Sequence, residues 1–221
     1  MLKADLHIHT AYSLDCTTPL EKIIARCLEI GINCIAIADH NTIAGALRLK
    51  EMAPFPVIIA EEILTSSGEI MGLFLTKEIP AGLSPEETIA RIRTQDGLVG
   101  IPHPDDKSRP TAFKNPALEA IMPQVDIVEV FNARSLLPGS SNRARRLASK
   151  YGKLASAGSD AHTPAEIGHA YIEMPEFNGK DDFLESLAQG KIYGHRSNPS
   201  AHVASTWARL KKRLSWEETP C

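Results

Sequence analysis

Residues 5–15, DLHIHTAYSLD, place His7 and His9 one residue apart and flank them with Asp5 and Asp15. In a strand, side chains at i and i+2 project to the same face, so the two imidazoles can aim at one point. That is the geometry of a metal chelate. Taken alone, the pair fits a strand end with two surface histidines better than a chelate, and the rest of the chain has to decide.

The elements that must position such a site follow from the apolar pattern. Short runs rich in Ile and Val alternate with helix-like segments, as in a buried parallel sheet covered by helices. Strands are predicted near KADLHI, NCIAIAD, PVIIAEEI, IMGLFL, GLVGIPH, DIVEVFN and LASAGSD, and helices over PLEKIIARCLEIG, TIAGALRLKEMA, SPEETIARIRTQDG, SSNRARRLASKYG and DDFLESLAQG. Thr18 is placed to cap the first helix, Pro19 suits its first turn and Gly31 its end, while Ser84 and Glu87 have the spacing of a capping box. The alternation argues for an α/β fold with right-handed crossovers, a parallel barrel whose strands present their carboxyl ends on one face.

On that map the unusual polar groups recur at the carboxyl ends of predicted strands. His7 and His9 follow the first, Asp39 and His40 the second, Glu61 and Glu62 the third, His103 the fifth, Asn132 the sixth, and Asp160 with His162 the last. A core holds that many histidines and carboxylates only if they are paired or metal-bound. Imidazole and carboxylate without thiolate suit zinc, manganese or iron. Two or three divalent ions are implied, because one ion cannot use so many ligands, and Glu62 is a candidate to bridge them.

At 221 residues, with 43% hydrophobic residues and a net charge of -3, the chain has the length for one well-buried core. The preferred organisation is a single domain over 1–221, with core motifs over about 4–170 and a helical extension over about 195–221. The acidic total gives no general basic surface and argues against a grip on long nucleic acid. The cysteines, Cys16, Cys27, Cys34 and Cys221, show no CxxC spacing and read as reduced thiols of a cytoplasmic protein. Met1 runs into LKADLHIHT without a basic, then apolar, leader, and no stretch reaches the roughly twenty apolar residues of a membrane span. In TWARLKKRLSW, Trp207, Leu210, Leu214 and Trp216 have rough helical spacing and are expected to pack on the barrel. No oligomeric state follows from the sequence.

The motifs DLHIHT, ADHNT, EEI, GIPHP, VEVFNAR and GSDAH, in that order over about residues 4–170, resemble those of the PHP (polymerase and histidinol phosphatase) domains. The resemblance implies a distorted (β/α)7-type barrel with its metal site at the carboxyl ends of the strands. Position by position it implies His7, His9, Asp15, His40, Glu62, His103, Asp160 and His162 as ligands of a trinuclear cluster. Asp15 lies one residue later in its loop than in some members. At SSGEIMGLFL, where many members place a further histidine, this chain offers Glu69, so either Glu69 substitutes as a ligand or the site is binuclear.

Divalent ions suit phosphoester hydrolysis, in which an activated hydroxide attacks phosphorus while the ions hold the non-bridging oxygens. For the leaving group, His195, Arg196 and Arg134 are the candidate proton or charge donors; His169 and His202 read as ordinary surface residues. A small phosphorylated substrate is expected, a nucleotide or related phosphomonoester, with Lys107, Arg109, Lys114 and Arg134 as candidate phosphate contacts. Histidinol-phosphatase-like activity, an amidohydrolase-like attack on carbonyl centres and a non-catalytic metal-binding module are the alternatives.

Overall fold

The structure, a computed structural model, describes residues 1–104, 106, 108–113, 116–137, 139–198, 205–208 and 212. In chain order its elements are β1 (Leu2–Ile8), α1 (Leu20–Ile30), β2 (Cys34–Ile37), α2 (Ala44–Met52), β3 (Val57–Leu64), β4 (Glu69–Leu73), α3 (Pro85–Thr94), β5 (Leu98–Ile101), α4 (Ala117–Ile121), β6 (Ile127–Asn132), α5 (Ser140–Lys150), β7 (Leu154–Gly158), β8 (Ala170–Met174), α6 (Lys180–Ala188) and β9 (Lys191–Gly194). The strands form one sheet in the order β7-β6-β5-β4-β3-β2-β1-β8-β9. It curls until the end of β1 meets the segment after β7: Asp160 N–H donates to the His7 carbonyl at 2.7 Å and His9 N–H to the Ala161 carbonyl at 2.9 Å. The result is the expected α/β barrel, nearly closed.

Burial explains the apolar strands. All four residues of β2 and all but Lys3 of β1 are buried, because helices cover the outer face while side chains fill the inner one. Among the helices, α1 sinks Leu20, Ile23 and Cys27 and ends on Gly31, whose φ of 74° is the left-handed stop that glycine adopts without strain. The expected capping box of α3 is present, with Ser84 and Glu87 satisfying each other's backbone N–H groups. Thr18 does not cap α1; its hydroxyl donates instead to the His162 carbonyl at 2.9 Å.

Two expectations need correction. The sheet is not all parallel: β4 runs antiparallel between β3 and β5, and β8 antiparallel to β1. Leu64 pairs with Glu69, leaving only residues 65–68 to connect β3 and β4, and a parallel crossover needs a dozen or more residues. The connection is therefore a hairpin. Strands β8 and β9 lie outside the predicted set, because AYIEM alternates buried and half-buried residues and KIYG is entirely half-buried or exposed, so neither forms an apolar run.

Candidate metal centre

Six strands deliver side chains to one end of the barrel. His7 stands near the end of β1 and His9 just beyond it; Asp15 follows in the next loop, and His40 follows β2. Glu62 projects inward from β3, whereas its neighbour Glu61 faces the other way and accepts from the Ile79 N–H at 3.0 Å. Strand pleating thus separates the two glutamates. Because β4 is reversed, its first residue, Glu69, arrives at the same end as the carboxyl termini of its neighbours. His103 follows β5, and Asp160 and His162 follow β7. His103 and Asp160 have φ of 28° and 55°, a conformation that non-glycine residues adopt only at a cost and that clusters at functional sites.

The donor atoms converge. His7 Nε2 and His9 Nε2 are 3.1 Å apart, and Glu62 Oε2 lies 3.4 Å from the first, 3.5 Å from the second and 3.3 Å from His40 Nδ1. Asp160 Oδ1 is 3.3 Å from His9 Nε2, and Asp15 Oδ1 is 3.1 Å from His162 Nε2. Ligands about 2.1 Å from a shared tetrahedral ion would stand roughly 3.4 Å apart, so these separations fit a common cation.

Hydrogen-bond chemistry points the same way. Glu129, buried in β6, takes the His7 Nδ1 hydrogen at 3.0 Å, and His162 Nδ1 lies 2.9 Å from the Asp160 carbonyl. The carboxylate is an acceptor only, so the His7 Nε2 turns its lone pair inward, whereas His162 Nδ1 meets both that carbonyl and the donating guanidinium of Arg134. Glu62 Oε2, Asp160 Oδ1 and His162 Nε2 are buried with no hydrogen-bond partner. Facing lone pairs and orphaned acceptors are costly unless a cation lies among them. The donors form three overlapping groups, His9/Asp15/His40/His162, His7/His9/Glu62 and His40/Glu62/Glu69.

Electrostatically the cluster draws positive charge: burial opposes it, but Glu129, Glu62 and Asp160 hold the His7 imidazole well above its ordinary range, and Glu62 and Asp15 lift His40 to about 10. Burial first, then the neighbouring His162, drives the His9 imidazole down to about 3, leaving it neutral. Glu62 stays well below the ordinary carboxylate range: burial opposes ionisation, but His7 and His40 overcome it. Glu69 is raised, by burial and then by the Glu62 charge beside it. Outside the cluster, burial lifts Glu61 from 4.5 to about 8 despite its Ile79 hydrogen bond, with the Glu78 charge adding to the lift.

The last shift has a consequence for stability. Between pH 4.5 and about 8 the unfolded chain has released the Glu61 proton while the folded chain retains it, so this group's contribution to stability falls as pH rises through that window. Glu61→Gln keeps an acceptor for the Ile79 N–H and removes the charge. Thermal melts of variant and wild type are expected to agree near pH 4 and to separate in the variant's favour at about pH 9.

A cavity of about 390 Å³ opens over the cluster, a size suited to a small ligand, with Asp15, His40, Glu69, Arg109, Arg134 and His162 among its walls. Arg109 donates to Asp160 Oδ2 at 2.5 Å and to Asn132 Oδ1 at 3.3 Å. Arg134 lies against His162 Nδ1, with its Nε 3.3 Å from Glu166 Oε1. The other candidates go elsewhere. Asp39 takes the Thr10 N–H and hydroxyl at 2.6 and 2.7 Å. His195 is exposed and its ring lies tilted against His169, 4.4 Å between centroids, and Arg196 donates to the Leu136 and Leu137 carbonyls; neither lines the cavity. Lys107, Lys114, His202, Leu210, Leu214, Trp216 and Cys221 lie outside the described residues.

Sequence reasoning missed the supporting groups. Glu129 is the clearest, and its signal was a carboxylate inside the apolar run IVEVF. Thr111 was not foreseen; its hydroxyl donates to Glu69 Oε2 at 2.7 Å. Glu166 was also missed, and it accepts from the His162 and Thr163 N–H groups.

Comparison with known proteins gives a consistent picture. The family model for the PHP domain matches residues 5–56, and that for the PHP-associated family matches 138–192. An uncharacterized protein of Methanocaldococcus jannaschii is 38% identical over 180 residues, 80% of this chain and 72% of that one. The 5'-3' exoribonuclease Rnm of Escherichia coli is 28% identical over 213 residues, 95% of this chain and 59% of its own length. Among solved structures, a two-domain protein of Bacteroides vulgatus, described as containing a predicted PHP-like metal-dependent phosphoesterase, superposes with a TM-score of 0.72 at 18% identity, covering 88% of this chain and 65% of that one.

Proposed function

This chain belongs to the PHP family of metal-dependent phosphoesterases, and from that premise we propose that it hydrolyses a small phosphorylated substrate, a nucleotide or related phosphomonoester, with two or three divalent ions of the zinc, manganese or iron class. The observation that carries the reading is the buried convergence of imidazole nitrogens and carboxylate oxygens beneath a cavity walled by two arginines. The relative that is an exoribonuclease supports a nucleotide as the substrate class.

When bound, the ions would supply Lewis-acid charge to the phosphoryl oxygens and activate water for attack. His7, His9, Asp15, His40, Glu62, Glu69, His103, Asp160 and His162 are the residues proposed to hold them. Glu129 fixes the His7 ring and so keeps its Nε2 turned to the centre. Arg109 and Arg134, anchored to Asp160 and Glu166, present positive charge where a phosphoryl group would enter and offset the charge that builds on it. Buried free thiols at Cys16, Cys27 and Cys34 suit a cytoplasmic setting. Among the described residues no helix is long and apolar enough to cross a membrane.

Purified protein should contain two or three divalent ions by elemental analysis and release phosphate from a nucleotide panel in a metal-dependent way. Metal retained with no phosphate release across that panel and a set of sugar phosphates would favour the non-catalytic module; hydrolysis of amides instead would favour carbonyl chemistry. Within this reading, Arg134→Met is expected to lower kcat/KM by about 10²-fold, the scale of losing one charged transition-state donor. His195→Ala, altering an exposed ring outside the cavity, is expected to leave turnover within about twofold of wild type. Steady-state assays of both variants check the assignment.

A further inference from the structure

The three donor groups differ in chemistry as well as place. The first has three imidazoles to one carboxylate, His9/His40/His162 with Asp15; the second has two to one; the third, His40/Glu62/Glu69, has one imidazole to two carboxylates. Imidazole suits zinc and iron, whereas carboxylate oxygen suits manganese and magnesium. We propose that Glu69 makes the third group a subsite for a harder, more readily exchanged divalent ion of the manganese or magnesium class, beside an imidazole-rich end that retains zinc or iron(II). The proposal rests on the reading of the cluster as a metal centre and assigns its ends to different ions.

The orientation of Glu69 supports it. Thr111 Oγ1 holds Glu69 Oε2, which leaves Oε1 directed at the cluster, 3.7 Å from His40 Nδ1. Glu62 Oε2 stands 3.3 Å from the same nitrogen, so two oxygens and one nitrogen surround this end. Glu69 and His40 line the cavity, as do Asp15 and His162 of the first group, while His7, His9 and Glu62 do not and are at most 1% exposed. The first and third groups therefore both reach the cavity and only the His7/His9/Glu62 group is enclosed, so donor chemistry is what separates the two open ends. Manganese also stands at the weak end of the divalent affinity order, so an ion chosen by hard oxygens exchanges more readily than one held by imidazoles.

The test uses full-length protein stripped of metal and reloaded with one equivalent of zinc. Manganese(II) is then titrated while the free aqueous ion is followed by electron paramagnetic resonance, and protein-bound metals are counted after gel filtration. Wild type should keep its zinc and take up manganese in addition. E69Q, which retains an acceptor for Thr111, should keep zinc and bind manganese at least about tenfold more weakly. E69H should fill the same subsite with a second equivalent of zinc and lose its preference for manganese. If E69Q takes up manganese as wild type does, or E69H still prefers it, the proposal is overturned while the metal-centre reading stands; if wild type binds neither ion, both fall.

Discussion

Glu62→Gln should lower kcat/KM toward any phosphoester substrate by more than about 10²-fold and reduce the metal content of the purified protein by more than one ion. The scale follows from position. Losing a partner that only orients a metal ligand costs about 10–100-fold in affinity or activity. Glu129, which holds the His7 ring from behind, is such a partner, and Glu129→Gln is the comparator within that range. Glu62 instead faces His7, His9 and His40 directly and belongs to two of the three donor groups, so neutralising it weakens two subsites together. Its other oxygen accepts from His103 at 2.7 Å, a bond the amide can keep through its carbonyl oxygen, so the fold should survive. Elemental analysis beside kinetics decides the matter: full metal content in an inactive Glu62→Gln protein would remove Glu62 from the ligand set.

Gly158→Ala is expected to produce the largest loss of stability from the addition of one methyl group. A Cβ there would lie 2.2 Å from His7 Cβ, 2.8 Å from the His7 nitrogen and 2.9 Å from Glu129 Oε1. The two His7 atoms belong to β1 and cannot yield, and the Glu129 carboxylate is held by the His7 ring and the His103 N–H. Overpacking a core costs about 1–3 kcal/mol and occasionally more, and this contact belongs at or above the top of that range. For a chain of this length, about 3 kcal/mol lowers Tm by roughly 6–12 °C. Gly31→Ala supplies the contrast: its Cβ meets no atom within 4 Å, so only the left-handed backbone is penalised, by about 1 kcal/mol. Thermal melts that ranked the two variants the other way would contradict the close approach of β7 to β1.

The comparison of sequence with structure divides along the type of signal. His7, His9, His40, His103, Asp160 and His162 were legible because each follows an apolar run, and a barrel gathers strand ends without any knowledge of side-chain packing. Choosing Glu62 over Glu61 was harder, since pleating separates neighbours but the inward phase depends on register with β2 and β4. Glu69 was visible as a departure from the family pattern, yet its route into the site required the hairpin, which the short connection before it already implied. Glu129 and Glu166 stayed hidden because they act through other side chains. His195 and Arg196, candidate leaving-group donors in the sequence, follow β9, a strand beside β8 whose end leads to His169, and neither lines the cavity.

The seam that closes the barrel also sets a schedule. Ser159 Oγ bonds to the His7 carbonyl across 152 positions of sequence, and Asp160 and Ala161 are tied by their backbones to His7 and His9. During synthesis the first histidine pair therefore leaves the ribosome long before the carboxylate and imidazole that complete its surroundings. A nascent chain ending ahead of β7 offers His7 and His9 to any passing ion without the selectivity of the finished cluster. The full donor set thus exists only after translation has passed residue 162 and the end of β7 has docked on β1.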